Sequence, residues 1–344
     1  MILQWVFVCF VIWLVGCGET DQRDTQQLSS DPSVGTYTNP VGGDIRMGDP
    51  FVMFSDGTYY LYGTNYKDGF RAFKSKNLVD WESVGPIWRD TSGSGRSSYW
   101  APEVHAYRGN FYLIFSCRME GPQGPPQFRL GLAVADNPTG PFETLKFPWI
   151  DQQGANIDAH IFIDGQRPYL FFNKVGFTDG VIWGKIFAVE LEASLKSMIG
   201  EPVFVGEASQ AWENPGTKNE TNEGAFVFKR EDRYYLTYSS NHYADPDYGI
   251  GYATADHPLG PWTKYPSNPI LARDLNLGVS GPGHSCIVLS PDKSETFIVY
   301  HAHADPENPS GNRTVNIDRL VFGEGGSLSI KGPTRTPQSM GVVP

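Results

Sequence analysis

The sequence predicts an all-β fold, a five-bladed β-propeller of four-stranded antiparallel blades. Three observations carry that reading. Five stretches repeat one pattern of apolar strand, turn and aromatic strand, and they recur at roughly fifty to sixty-five residues, the spacing of one propeller blade. A second, looser strand pair follows each of them. No segment sustains a helical period apart from a short stretch near residues 192–198.

The first copy runs Asp49-Pro-Phe-Val-Met-Phe-Ser-Asp-Gly-Thr-Tyr-Tyr-Leu-Tyr62, with Asp56-Gly57 as a favoured hairpin turn. The second opens at Ala101-Pro-Glu-Val104 and turns at Arg108-Gly109; the third opens at Asp158-Ala-His160 and turns at Asp164-Gly165. The fourth opens at Glu223-Gly-Ala225 and turns near Glu231-Asp232. The fifth starts at His284-Ser-Cys286 and resumes at Thr296-Phe-Ile-Val-Tyr300. Outer strand pairs follow at residues 70–81, 130–142 and 250–262, more loosely at 186–191, and finally at 314–322 with 328–330. Asn-Pro, His-Pro and Gly-Pro turns punctuate them. A strand signal at Tyr37 is expected to close the ring against the last blade.

Equivalent positions of a propeller converge on one axis. The opening position is read as Asp49, Ala101, Asp158, Glu223 and His284, so three carboxylates and a histidine are expected to face one another across a central pocket. The net charge of −11 argues against nucleic acid or an anionic polymer as partner. A neutral ligand handled by acids and aromatic rings fits better.

Residues 1–16 read as a lipoprotein signal peptide. Residues 2–15 are almost wholly apolar, too short to span a bilayer comfortably, and end in Leu14-Val15-Gly16-Cys17, a lipobox-like sequence. Residues 17–35 then form a polar tether from a lipidated Cys17, and residues 36–344 form the propeller. The expected product is a monomeric exported bacterial lipoprotein of the cell envelope, in the outer membrane or periplasm, touching the membrane only through its lipid. Cys117 and Cys286 fall in strands of non-adjacent blades and are read as buried free thiols rather than a disulfide.

Aromatic residues beside the acids suit a sugar, whose C–H face packs on a ring: Phe51 follows Asp49, and Tyr99-Trp100 precedes the second repeat. Two carboxyl groups across a sugar are what glycoside hydrolysis needs, one protonated and one ionised. A third negative neighbour keeps the acid protonated.

As an ordered set, Gly48-Asp-Pro-Phe51, Trp100-Ala-Pro-Glu-Val104, Ile157-Asp158, Glu223-Gly224, Gly281-Pro-Gly-His284 and Arg313-Thr-Val-Asn-Ile-Asp-Arg-Leu320 resemble glycoside hydrolase family 43 over residues 37–330. The resemblance implies a five-bladed propeller and an inverting mechanism. It implies Asp49 as general base, Glu223 as general acid, and Asp158 as the residue that raises the acid's pKa and orients it. No cofactor is required for that chemistry. Ala159-His160 after Asp158 and Ala225 after Gly224 depart from the commoner family pattern, and both bear on pocket shape.

Substrate contacts are expected from Phe51, Trp100, His160 and Arg313. The alternatives are a turn-holding role for His160, a core position for Trp100 and a surface ion pair for Arg313. His284 is the candidate metal residue, with Ca2+ on the propeller axis as the implied ion and a hydrogen-bonding core histidine as the alternative. The expected substrates are plant-type polysaccharides or oligosaccharides bearing terminal α-L-arabinofuranosyl or β-D-xylosyl groups. Galactan-active or algal-glycan-active hydrolysis and a non-catalytic carbohydrate-binding propeller are the rival readings.

Overall fold

The computed structural model describes residues 35–93, 96–119, 127–150 and 152–340. The signal peptide and all but the last residue of the tether lie outside them, as does most of the Gly/Pro-rich run at 121–127. The described chain is all-β, with three short 3-10 turns at Ala211–Glu213, Leu275–Leu277 and Glu324–Gly326. The helical signal near residues 192–198 is instead a turn. Leu195 N–H donates to the Glu192 carbonyl (2.8 Å) and Glu192 N–H to the Ser197 carbonyl (2.9 Å), which sends the chain into the strand Met198–Gly206.

Each repeat builds an antiparallel sheet in chain order. The first comprises Gly48–Ser55, Thr58–Thr64, Gly69–Ser75 and Glu82–Arg89. The second comprises Arg96–Tyr107, Asn110–Met119, Gln127–Ala135 and Glu143–Lys146. Ala155–Asp164, Arg167–Thr178, Val181–Leu191 and Met198–Gly206 form the third, and Asn219–Arg230, Arg233–Ser240, Gly249–Ala255 and Thr263–Lys264 the fourth. These two join into one sheet, because Ile182, Trp183 and Gly184 pair in parallel with Asn219, Glu220 and Thr221. The fifth runs Gly283–Leu289, Thr296–His303 and Arg313–Phe322, the last flanked by both Leu328–Lys331 and Val41–Arg46.

The opening strands touch in a cycle. Gly48–Ser55 contacts Arg96–Tyr107, which contacts Ala155–Asp164, then Asn219–Arg230, then Gly283–Leu289, which returns to Gly48–Ser55. The apolar core is accordingly divided among the sheet interfaces. Phe70, Trp88 and Phe115 pack between the first and second sheets; Leu132, Trp149, Ile161 and Phe172 between the second and third; Phe171, Ala188, Val227 and Tyr238 between the third and fourth. Ile250 and Tyr252 of the fourth meet Ile298 and Leu320 of the fifth. Cys117 and Cys286 are buried and unpaired, as read from the sequence, and burial pushes the Cys117 thiol up to about 12.

The N-terminal strand differs from expectation. Thr36–Tyr37 pairs with Gln338–Ser339 near the C-terminus, and it is Val41–Arg46 that joins the fifth sheet. The joint is locked by polar groups. Asn39 receives the Ile317 N–H (2.9 Å) and donates to the Ile317 carbonyl (2.7 Å), acting as a one-residue strand partner. Asp318, fully buried, accepts from Tyr300 Oη (2.7 Å) and Thr334 Oγ1 (2.6 Å). Replacing Asp318 by Ala strands these donors, and a loss of about 2–4 kcal/mol is expected. Urea unfolding measures it; a change below about 0.5 kcal/mol would show that the lock contributes nothing.

Candidate active site

Every opening strand carries a bulge at the same place. The pairing register slips between Gly48 and Phe51, Trp100 and Glu103, Ile157 and His160, Glu223 and Phe226, and Gly283 and Cys286. One residue in each bulge takes a left-handed backbone: Asp49 (φ 54°), Ala101 (φ 44°), Asp158 (φ 53°), Gly224 (φ 61°) and His284 (φ 46°). Four side-chain-bearing residues held there, where sterics disfavour L-residues, mark a conformation imposed by the surroundings. A bulge re-aims the side chain at the end of a strand. The equivalence read from the sequence is therefore one residue out in the fourth repeat. Gly224, not Glu223, matches Asp49, and Glu223 matches Gly48, Trp100, Ile157 and Gly283. The acid reaches the same space from the neighbouring register position.

Side chains from the preceding sheet hold these bulges. Ala101 N–H donates to Thr64 Oγ1 (2.9 Å), Asp158 N–H to Ser116 Oγ (2.9 Å), His284 N–H to Ser239 Oγ (2.7 Å) and Asp49 N–H to His301 Nδ1 (3.1 Å). Thr64, Ser116, Ser239 and His301 each sit opposite the residue before the bulge of their own sheet. In the fourth bulge the Gly224 amide lies near the Asp158 carboxylate and favours its ionised form.

The carboxylates meet specific partners. Asp49 Oδ1 accepts from Arg313 Nη1 (2.8 Å) and Oδ2 from Thr64 Oγ1 (2.5 Å). Arg313 fits because it crosses Gly48, where a Cβ would lie 2.0 Å from the guanidinium carbon. His284 Nδ1 lies between two acids, 3.4 Å from Asp49 Oδ1 and 3.9 Å from Asp158 Oδ2. Glu223 Oε1 accepts from Tyr248 Oη (2.8 Å).

These surroundings drive the acids apart. Burial pushes the Asp49 carboxyl up, but the Arg313 guanidinium, the two imidazoles and the Thr64 hydroxyl outweigh it and hold it well below the usual carboxylate range. Arg313 is the dependable cation among these, since burial depresses the pKa of both His284 and His301. Glu223 moves the other way, up to about 7, because burial and the Asp49 charge prevail over the Tyr248 hydrogen bond and the Arg313 charge that favour its ionised form. Asp158 is also raised, first by burial and then by the charge of Glu223. Two buried carboxyls that repel each other retain a proton together into the neutral range, while Asp49 beside them is ionised.

Asp49, Asp158, Glu223, Trp100, His284 and Arg313 line one cavity of about 530 Å³. Phe128 stacks on Trp100 (ring centroids 4.4 Å, 25°), making an aromatic wall, and Asn241, His242 and Tyr243 from the loop after the fourth inner hairpin line it as well. A larger concavity of about 730 Å³ lies toward the hairpin turns of the fourth and fifth sheets, lined by Phe228, Leu289 and Phe322 without convergent acids.

Two predicted substrate contacts do not reach the cavity. His160 is buried beneath it, with Nδ1 2.9 Å from Glu103 Oε2 and Nε2 accepting the Val227 N–H (3.0 Å). Phe51 is likewise buried and packs on His105 and Phe226. Both stand one position beyond the bulge, where the side chain enters the packed layer below. Among the described residues the one group of three or more His, Cys, Asp or Glu within coordinating range is Glu103, His105 and His160. It does not include His284, and its two imidazoles make a poor calcium site. The hydrogen bond from Val227 also leaves His160 Nδ1 as the protonated nitrogen, donating to Glu103. His284 instead lies beside Asp49 and Asp158, with its amide tied to Ser239 Oγ.

Reading by repeat position missed Thr64, His301 and Tyr248. Thr64 and His301 carried a signal, since they end inner hairpins at matching places; Tyr248 had none.

Residues 37–328 match the model of glycosyl hydrolases family 43. The chain belongs to that family. It is 45% identical to a thermostable family-43 glycoside hydrolase of known structure, covering 88% of this chain and 98% of that one with a TM-score of 0.84. A solved structure titled endo-1,4-beta-xylanase, from Bacteroides thetaiotaomicron, is 32% identical over 88% of this chain and 98% of its own, with a TM-score of 0.72. A beta-D-galactofuranosidase of Aspergillus niger is 28% identical, covering 81% of each chain. An extracellular exo-alpha-(1->5)-L-arabinofuranosidase of Streptomyces avermitilis is 26% identical over 83% of this chain and 61% of its own. This family 43 chain is thus a glycoside hydrolase, and catalysis in the family needs no cofactor.

Arg313→Gln removes the cation that holds Asp49 low. The Asp49 pKa should rise by about 1–3 units, and the acid limb of kcat/KM should move to higher pH by the same amount. A pH-rate profile whose acid limb does not move would show that Arg313 does not set the charge of Asp49.

Proposed function

We propose that this protein is an exported, inverting glycosidase that removes terminal α-L-arabinofuranosyl or β-D-xylosyl groups from plant-type glycans. The observation that carries the mechanism is a single cavity in which one carboxyl, Asp49, is held ionised while another, Glu223, keeps a proton near neutrality. A binding protein gains nothing from burying three carboxyls against one another, and such burial is costly. The cyclic contact of five opening strands supports the five-bladed propeller as the frame.

Glu223 protonates the glycosidic oxygen as the C–O bond breaks. Asp49 takes a proton from a water that attacks the anomeric carbon from the other face, so the leaving alcohol gains the acid's proton and configuration inverts. Room for that water requires carboxyls roughly 6.5–9.5 Å apart. Asp158 and Glu223 repel each other when both are ionised, so the pair retains a proton, and Asp158 acts on the acid through that sharing. Trp100, backed by Phe128, offers a sugar ring its apolar wall, and Arg313 offers N–H donors beside the base.

Arabinofuranosidase names among the relatives support the pentose. The galactofuranosidase relative supports a second reading, hydrolysis of β-D-galactofuranosides. The extracellular name of one relative supports export, and the apolar leader running to Cys17 supports a lipoprotein. No helix among the described residues is long and apolar enough to cross a membrane.

Aryl arabinofuranosides, xylosides and galactofuranosides compared across wild type, Glu223→Gln and Asp49→Asn test this reading. Each variant should lose about 10²–10⁴-fold on the cleaved sugar. NMR should show the inverted anomer first; a retained anomer, or Glu223→Gln at wild-type rate, would sink the assignment. Activity should persist well into acid and fall above about pH 7, as the Glu223 pair loses its proton. A profile flat through pH 9 would contradict that pair as the acid.

A further inference from the structure

We infer that Tyr248 is a positioning residue that fixes on which oxygen of Glu223 the catalytic proton sits; this rests on Glu223 being the acid. Tyr248 is wholly buried, lies outside the cavity lining and donates its hydroxyl to Glu223 Oε1 at 2.8 Å. A carboxyl oxygen that accepts a hydrogen bond from a fixed donor keeps its lone pair toward that donor. The proton of the acid therefore resides on Oε2, the oxygen left free for the substrate-facing side. Burial and the nearby carboxylates keep the phenol itself protonated, so Tyr248 is a donor throughout the working range and never competes as an acid.

Packing holds the ring in place. Tyr248 fills the space over Gly283, where a Cβ would lie 2.0 Å from its ring, and stacks face to face on His301 (centroids 5.6 Å, 3°). His301 in turn accepts the Asp49 N–H. One aromatic stack thus backs the acid through a hydroxyl and the base through a ring nitrogen. The backbone around Tyr248 is pinned too: its N–H donates to the Asp245 carbonyl (3.0 Å), and Asn241 Nδ2 donates to the Asp247 carbonyl (2.9 Å).

Leaving-group dependence separates positioning of the acid from general damage. A 2,4-dinitrophenyl glycoside departs without protonation, whereas an unactivated phenyl or alkyl glycoside of the same sugar needs the acid. Tyr248→Phe should lose about 10–100-fold in kcat on the unactivated substrate and stay within about 3-fold on the activated one. Loss of a donor to the carboxylate also raises the acid's pKa, so the basic limb should move up by about one unit. Gly283→Ala, which displaces the ring while keeping the hydroxyl, should give the same leaving-group signature. Glu223→Gln serves as the reference. If it discriminates between leaving groups while Tyr248→Phe follows wild type on both substrates with an unmoved basic limb, the positioning role is wrong and the acid assignment stands. If Glu223→Gln itself treats both substrates alike, the acid assignment fails and the role of Tyr248 fails with it.

Discussion

The site depends on a backbone constraint before it depends on any carboxylate. At the start of each repeat one residue is turned left-handed within a bulge, and in four repeats its amide is tied to a side chain of the preceding sheet. A conformation that costs of order 1–3 kcal/mol per residue persists only where neighbours over-determine it. Four of the five sheets supply such a tie to the next, so the strain at Asp49, Ala101, Asp158 and His284 is shared around the cycle. What this yields is aim: without the turn, alternation along the strand would carry these side chains into the layer between sheets.

Charge is then arranged by distance from one cation. Arg313 touches Asp49 directly, and that contact decides which carboxyl carries negative charge in the resting site. Among the described residues neither Glu223 nor Asp158 has a Lys or Arg in ion-pair contact; Glu223 accepts one neutral donor, the Tyr248 hydroxyl, and the Gly224 amide lies near Asp158. Burial therefore acts on them with little opposition. Which carboxyl is ionised and which keep a proton follows from where a single guanidinium rests, and Gly48 is what lets it rest there.

Much of this was legible in the chain. Strand, turn and strand recur with enough regularity for sheets and hairpins to be assigned, and the three acids stand out because acids are rare at the openings of apolar strands. The register of Glu223 was not legible, since a bulge is a property of pairing and leaves no mark in composition. His160 was misjudged for a related reason: one position beyond a bulge, a side chain re-enters the packed layer, where Glu103 and the Val227 amide satisfy it. Tyr248 sits far from any repeat position and comes to the acid only through the fold of its loop. The N-terminal closure was half right. An isolated two-residue strand such as Thr36–Tyr37 has too little sequence to specify its partner.

The parallel pairing of Ile182–Gly184 with Asn219–Thr221 has a mechanical side. It makes the third and fourth sheets one continuous body, and that body carries both Asp158 and Glu223. Asp49 rides on the first sheet, which shares no strand ladder with its neighbours and meets them through side-chain ties, packing and isolated backbone bonds such as Phe142 N–H to the Ile87 carbonyl (2.8 Å) and Gly42 N–H to the Val79 carbonyl (3.1 Å). Thermal breathing of the cycle of sheets therefore changes the gap between Asp49 and Glu223 more readily than the spacing of Glu223 from Asp158. The two carboxyls that keep a proton stay at a fixed spacing, and the compliance falls between them and the ionised one.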